Sequence, residues 1–150
     1  ISVCFSKGLG APIGSMALST RARIDSARVW RKRYGAGMRQ VGILAAAADY
    51  SITHHLQDLA HDHRRAKSLA TAIASINSSL IDPLAVETNI VGLTLKALGI
   101  SAAELAERTK NHGLLIGALG PYFARLVTHR DFDDAQCDQA IEILSKTLVA

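Results

Sequence analysis

Cysteine is scarce in this 150-residue chain, which holds only Cys4 and Cys137. Two thiols without CxxC spacing exclude a disulfide framework. Long apolar runs are also missing. The longest, Val41 to Ala48 counting Gly42, falls far short of the roughly 18–20 residues that a spanning helix needs. The opening apolar stretch meets Lys7 almost at once and does not read as a secretory leader. Neither an internal repeat nor a low-complexity linker is visible. What is present is apolar enough to fold: 49% hydrophobic against 20% charged residues, with a mean hydropathy of +0.17. The expectation is a soluble, cytoplasmic α/β or α chain with no membrane partner. Ile1 stands where an initiator Met would, directly inside a β-rich run, so the chain reads as the C-terminal portion of a longer protein.

Charge is concentrated in one place. Between Thr20 and Gln40 lie Arg21, Arg23, Arg28, Arg31, Lys32, Arg33 and Arg39 against the single acid Asp25, a local net of +6. The remaining ten basic and twelve acidic residues give −2, so the overall +4 reports one cluster and not a generally basic surface. Nucleic acid is not expected as a partner, because only Trp30 and Tyr34 supply aromatic rings there and the cluster adjoins an Ala-rich, apolar helix.

Residue patterning predicts a short strand over 2–5 and another from Ile13 to Ser19, joined by the Gly/Pro loop Ser6 to Pro12. Thr20 is positioned to cap a helix reaching Tyr34, which Gly35-Ala36-Gly37 breaks. A second helix from Met38 to Ile52 is apolar on most faces and so expects cover. A third, over 55–76, carries a stripe that includes His63, Ala66, Leu69, Ala70 and Ile73. A strand from Thr88 to Leu95 follows. Ser101 to Glu104 forms a capping-box pattern, strands are expected over 114–118 and 123–128, and the Asp131–Asp134 segment opens the last helix. The first half thus reads as a hairpin plus a buried helix. The second reads as a helix packed with a small antiparallel sheet.

Lys7 leaves a strand and enters a glycine loop, where Gly8 and Gly10 let the backbone pass close to a ligand. A lysine held against an apolar wall can form a Schiff base. Two look-alike motifs fail. After Gly8 and Gly10 the third glycine of a dinucleotide fingerprint falls one place late, at Gly14, with Pro12 obstructing a helix start. A phosphate-cradling P-loop needs its lysine after the glycines, and Lys7 precedes them.

The segment Ser6-Lys7-Gly8-Leu9-Gly10-Ala11-Pro12 resembles the cofactor-lysine segment of the threonine aldolases, within the aromatic amino acid β-eliminating lyase/threonine aldolase group. The resemblance continues through Arg28 to Ala47, with its "GMRQ" run Gly37–Gln40. It continues through Asp82-Pro83 and Val86–Val91, and through Arg125-Leu126-Val127-Thr128-His129 followed by Asp131. It implies the C-terminal part of a type I PLP-dependent (aminotransferase-like) fold. Residues 1–53 would be the end of a large PLP-binding domain, its terminal hairpin and helices, and residues 54–150 a small α+β domain. It also implies pyridoxal 5'-phosphate (PLP) on Lys7. Ser6 and the basic pair Lys32 and Arg39 would sit near the cofactor phosphate, the pair reaching across a dimer interface. Arg125 would take the α-carboxylate of a small-molecule amino acid substrate. The implied reaction cleaves L-threonine, L-allo-threonine or a related β-hydroxy-α-amino acid to glycine and an aldehyde, in a homodimer or homotetramer. The alternative is a non-catalytic remnant or oligomerisation module of the same fold. One departure is Ala36, which stands at a usual glycine; a positive φ there would strain Ala. The family's pyridine-nitrogen Asp, ring-stacking His and N-terminal Gly/Thr phosphate loop lie upstream of its lysine and have no counterpart in these residues, so the chain by itself is expected to be inactive.

His54, His55, His61 and His63 invite a metal reading, but lack the i, i+4 pairing of helical zinc ligands and any nearby cysteine, so no metal is expected. His63 is expected in the helix core, and both cysteines read as core residues. His129 suits a hydrogen-bonding role or a supporting place near the substrate.

Overall fold

The first strands are held by one antiparallel register. In the computed structural model, which describes residues 1–149, β1 (Ser2–Cys4) pairs with β2 (Ser15–Ala17), Val3 opposite Met16. The strands are shorter than the apolar pattern predicts because Phe5 turns inward. Its amide donates to the Gly14 carbonyl (2.9 Å) and its carbonyl accepts from Ala11 N (2.9 Å), closing a loop over residues 5–14. Gly10 takes φ +73° in this loop, a conformation that disfavours any side chain.

The chain divides into two compact units, Ile1–Gln57 and the remainder from Asp58. In the first, α1 (Arg21–Arg33) buries no residue. Thr20 is its N-cap, but its hydroxyl makes no capping bond, contrary to the sequence expectation. Three cations, Arg31, Lys32 and Arg33, crowd the last turn, where the helix dipole favours positive charge. Gly35, at φ +81°, ends the helix. Among the described residues no non-glycine residue has a positive φ, so Ala36 carries no such strain; the turn uses Gly35 instead. The second helix, α2 (Gly42–His55), starts four residues later than Met38. No Ser, Thr, Asp or Asn stands before it as a capping signal; Val41 is its N-cap. Within this chain it buries only Ala48 and Ser51. The buried residues of this unit are Phe5, Leu9 and Ala11 from the loop, with Ala48 and Ser51.

The second unit is an antiparallel sheet with helices on one face. The sheet order is β3–β5–β4, with β3 (Ile90–Thr94), β4 (Gly117–Gly120) and β5 (Phe123–Val127). Alternation along β3 and β5 sends Val91, Leu93, Ala124 and Leu126 inward. They join one core with residues of α3 (Leu59–Ile76), α4 (Ala102–Lys110) and α5 (Asp134–Thr147), including Leu69, Ile73, Leu105, Ala140 and Leu144. On α3 the inward stripe is Asp62, Ala66, Leu69, Ala70 and Ile73. Asp62, not the expected His63, is therefore the buried residue of the first turn, and His63 is exposed. Asp62 Oδ1 lies 3.5 Å from the Arg65 guanidinium, while Oδ2 is buried with no hydrogen-bond partner among the described residues.

The end of β5 is clasped from two sides. Thr128 N donates to the Asn89 carbonyl (3.0 Å) and Asn89 Nδ2 to the Thr128 carbonyl (2.8 Å). The buried Thr128 hydroxyl donates to the Asp62 carbonyl of α3 (2.7 Å). These bonds fix the register that presents Arg125 on the face of the sheet away from the helices.

Candidate functional site

Lys7 lies three residues beyond β1, exposed, between the buried Phe5 and Leu9. Its loop is anchored twice. Gly10 N donates to the Lys7 carbonyl (2.8 Å), and His55 Nδ1, at the end of α2, donates to the Leu9 carbonyl (2.7 Å). Tyr50 packs edge-on against the His55 ring, centroids 5.5 Å apart. His55 thus serves as a structural pin for the lysine loop. The sequence placed it only within a discounted metal cluster. Among the described residues no group of three or more His, Cys, Asp or Glu could hold a metal ion.

Ser6, beside the lysine, is also exposed, and its hydroxyl lies 3.3 Å from Cys4 Sγ. Hydrogen bonding from Ser6, then Ser15, holds the Cys4 thiol below its usual value. Cys4 is part-exposed, contrary to the core role expected of it; Cys137 is buried, and burial pushes its thiol up.

Lys32 faces a hollow of about 390 Å³ lined by Arg28, Arg31 and Lys32 of α1 and by Ala36, Gly37 and Met38. The three cations sit at i, i+3 and i+4, one helix face. Arg39, expected with Lys32, does not line it, and neither do Ser6 and Lys7. Gly37 leaves the room that the lysine uses: a Cβ there would stand 2.9 Å from Lys32 Nζ. Asp25, the one acid of the cluster, pairs with Arg21 (3.5 Å). Among the described residues no carboxylate neutralises Arg28, Arg31 or Lys32, whose nearest chemical complement is an oxyanion such as a phosphate. Arg28 and Arg31 were legible in the sequence only as charge; their spacing was the signal that could have joined them to Lys32.

Arg125 belongs to the second unit, at the centre of the central strand. It is exposed and pairs with no carboxylate among the described residues. Its guanidinium is a free two-pronged donor. His129, four residues on, accepts from Asp131 N at Nδ1 (3.3 Å), the hydrogen-bonding role.

The structure thus shows an exposed lysine on a glycine loop, a hollow lined by three cations and an exposed arginine on a sheet face. The comparisons give its class. The family model described as beta-eliminating lyase matches residues 1–96, and the chain belongs to that family. Within it, the chain is 31% identical over 150 residues to low-specificity L-threonine aldolase 1 of Arabidopsis thaliana, covering 99% of this chain and 42% of the relative. It is 38% identical over 135 residues to the low specificity L-threonine aldolase of Escherichia coli (strain K12), covering 90% and 38%. It is 31% identical over 158 residues to alanine racemase TOXG of Cochliobolus carbonum, covering 100% and 39%. The chain spans about two fifths of the length of these curated relatives. No helix among the described residues is long and apolar enough to cross a membrane.

Proposed function

We propose that this chain supplies the lysine, phosphate-side and carboxylate-side residues of a PLP-dependent carbon–carbon lyase. Its substrate would be L-threonine, L-allo-threonine or a related β-hydroxy-α-amino acid, cleaved to glycine and an aldehyde. The observation that carries the reading is Lys7, exposed on a loop fixed by His55, with buried Phe5 and Leu9 on either side. The residues fit the cofactor. Lys7 offers an amine for covalent attachment. The hollow beside Gly37, with Lys32 at its wall, offers uncompensated positive charge for a phosphate. When bound, PLP supplies the electron sink for the pair released as Cα–Cβ breaks.

The chain's own residues do the rest. Lys7 would hold the cofactor through Nζ and release it to the incoming amine. Ser6 would orient its phosphate from the lysine loop, and Lys32 and Arg39 would neutralise it from a second copy across the interface of a homodimer or homotetramer. Arg125 would grip the substrate carboxylate with both prongs and so set which bond at Cα faces cleavage. The substrate's hydroxyl proton must leave as the bond breaks.

A second reading, PLP chemistry at Cα without carbon–carbon cleavage, has one specific support: the relative named as an alanine racemase. One assay separates the two. In the holoenzyme, L-threonine should yield glycine and acetaldehyde in equal amounts, and Lys7→Ala should abolish both. Racemisation of alanine with no aldehyde from threonine would overturn the lyase reading.

A further inference from the structure

Arg125 has no side chain on either flank. Its ladder partner on β3 is Gly92 and its partner on β4 is Gly117. A Cβ at Gly117 would stand 4.0 Å from Arg125 Cβ, and one at Gly92 would meet no Arg125 atom within 4 Å, so both flanks of the arginine are open. At Gly92 the space has a taker. A Cβ there would meet the Phe123 ring at Cζ (3.0 Å) and Cε2 (3.1 Å), so the ring lies across Gly92 on the face that carries Arg125.

Beside this ring is an open hollow of about 370 Å³. Ile90, Gly92 and Phe123 line it from the sheet, and Ile81 and Val86 from the segment that follows α3. That segment is held firmly. Thr94 N donates to the Leu80 carbonyl (2.9 Å), and Lys67 Nζ donates to the carbonyls of Pro83 and Val86. The acid at the rim, Asp82, turns its carboxylate to Leu84 N (2.9 Å). The hollow is therefore mostly apolar, its one carboxylate is engaged, and it shares Gly92 with the strand position of Arg125.

We propose that Gly92 and Phe123 form a selective wall for the group attached to the carboxylate that Arg125 holds. The ligand class is a carboxylate carrying an aryl or branched apolar substituent. Arg125 takes the carboxylate, and the substituent lies along the Phe123 ring into the hollow of Ile81, Val86 and Ile90. The wall rests on the carboxylate role of Arg125; the ring and the hollow are separate from that role.

The test titrates the ¹⁵N-labelled chain with 3-phenylpropionate and with acetate. Both should shift the Arg125 Nε–H signal, and only 3-phenylpropionate the Gly92 amide. The aryl ligand should bind roughly tenfold tighter, the preference expected for covering part of a phenyl ring. Phe123→Ala, at a half-exposed position, should erase that ratio, and Gly92→Ala, which pushes the ring aside, should reduce it. Loss of both ligands in Arg125→Gln, with the ratio intact in Phe123→Ala and Gly92→Ala, would uphold the carboxylate role and overturn the wall. Unchanged affinities in Arg125→Gln would overturn the carboxylate role. Failure of the chain to bind either ligand would overturn both.

Discussion

Arg125 separates charge from shape. Lysine at this position keeps the positive charge but loses the planar fork. In the holoenzyme Arg125→Lys should raise KM for the amino acid about ten- to a hundredfold, the worth of a charged hydrogen bond of about 1.5–3 kcal/mol, with PLP absorbance retained. Unchanged steady-state kinetics would count against the role. Arg125 and Lys7 were both legible in the sequence because each sits in a local motif. Asp62 was not. Its place on α3 belongs to the buried stripe, and a period-3.6 reading that admits only apolar letters passes to His63 instead. One Asp62 carboxylate oxygen pairs with Arg65, and the Thr128 hydroxyl bonds the Asp62 backbone carbonyl from another element. Long-range partners of this kind leave no trace in the local pattern. The burial split between Cys4 and Cys137 was equally invisible, because it depends on where the hairpin stops and the loop begins.

Two elements carry the second unit's geometry. The clasp at the end of β5 spends the Thr128 hydroxyl on the Asp62 carbonyl, at 1% exposure. Thr128→Val keeps the shape and removes the donor, so it should cost about 1–3 kcal/mol in denaturant midpoint analysis. A cost near zero would mean that the clasp is dispensable. At the start of α5, Asp133 accepts from Gln136 N (2.8 Å) and Gln136 Oε1 from Asp133 N (2.8 Å), a reciprocal cap. The next residue, Asp134, is gripped by Arg65 (2.6 Å) and Arg64 (2.8 Å). The Arg65 hydrogen bond, first, and Arg64 after it hold the Asp134 carboxyl below its usual value. A depressed carboxyl stabilises the fold above its unfolded value, about 3.9, and the contribution is lost as pH falls through the folded one. Asp134→Asn should therefore unfold earlier than the parent at neutral pH, and the two melting curves should converge below about pH 4. A gap that persists in acid would show that the pair is not electrostatic.

Element boundaries were legible where a cap spoke. Ser101 accepts from Glu104 N (3.1 Å) as its pattern predicts, although the Glu104 carboxylate turns to Arg108 (2.8 Å). Where no cap stands, as before α2, the start was misplaced. β4 is Gly117–Gly120, later than the expected 114–118, because apolar content alone does not set register and the pairing with β5 slips between Ala118 and Gly120.

Across the whole molecule the two units differ in how their apolar side chains are spent. Among the described residues, thirteen of the twenty-one exposed large hydrophobics lie in Ile1–Gln57, including Trp30, Tyr34, Ile43 and Tyr50. Apolar surface of that kind associates, so the chain should elute as growing oligomers in light-scattering chromatography as concentration rises. A monodisperse monomer at every concentration would contradict this. The second unit, by contrast, closes a core that its periodicities announced. The candidate site follows the same division: its motifs were local and readable, while the partnership of Lys32 with Arg28 and Arg31, and the glycines flanking Arg125, emerged only from the fold. All of it turns on one amine. Borohydride reduction of the PLP-loaded protein, followed by digestion and peptide mapping, locates the cofactor's point of attachment. The expected result is a phosphopyridoxyl group on Lys7; a label on Lys32 or Lys67, or on no lysine at all, would contradict it.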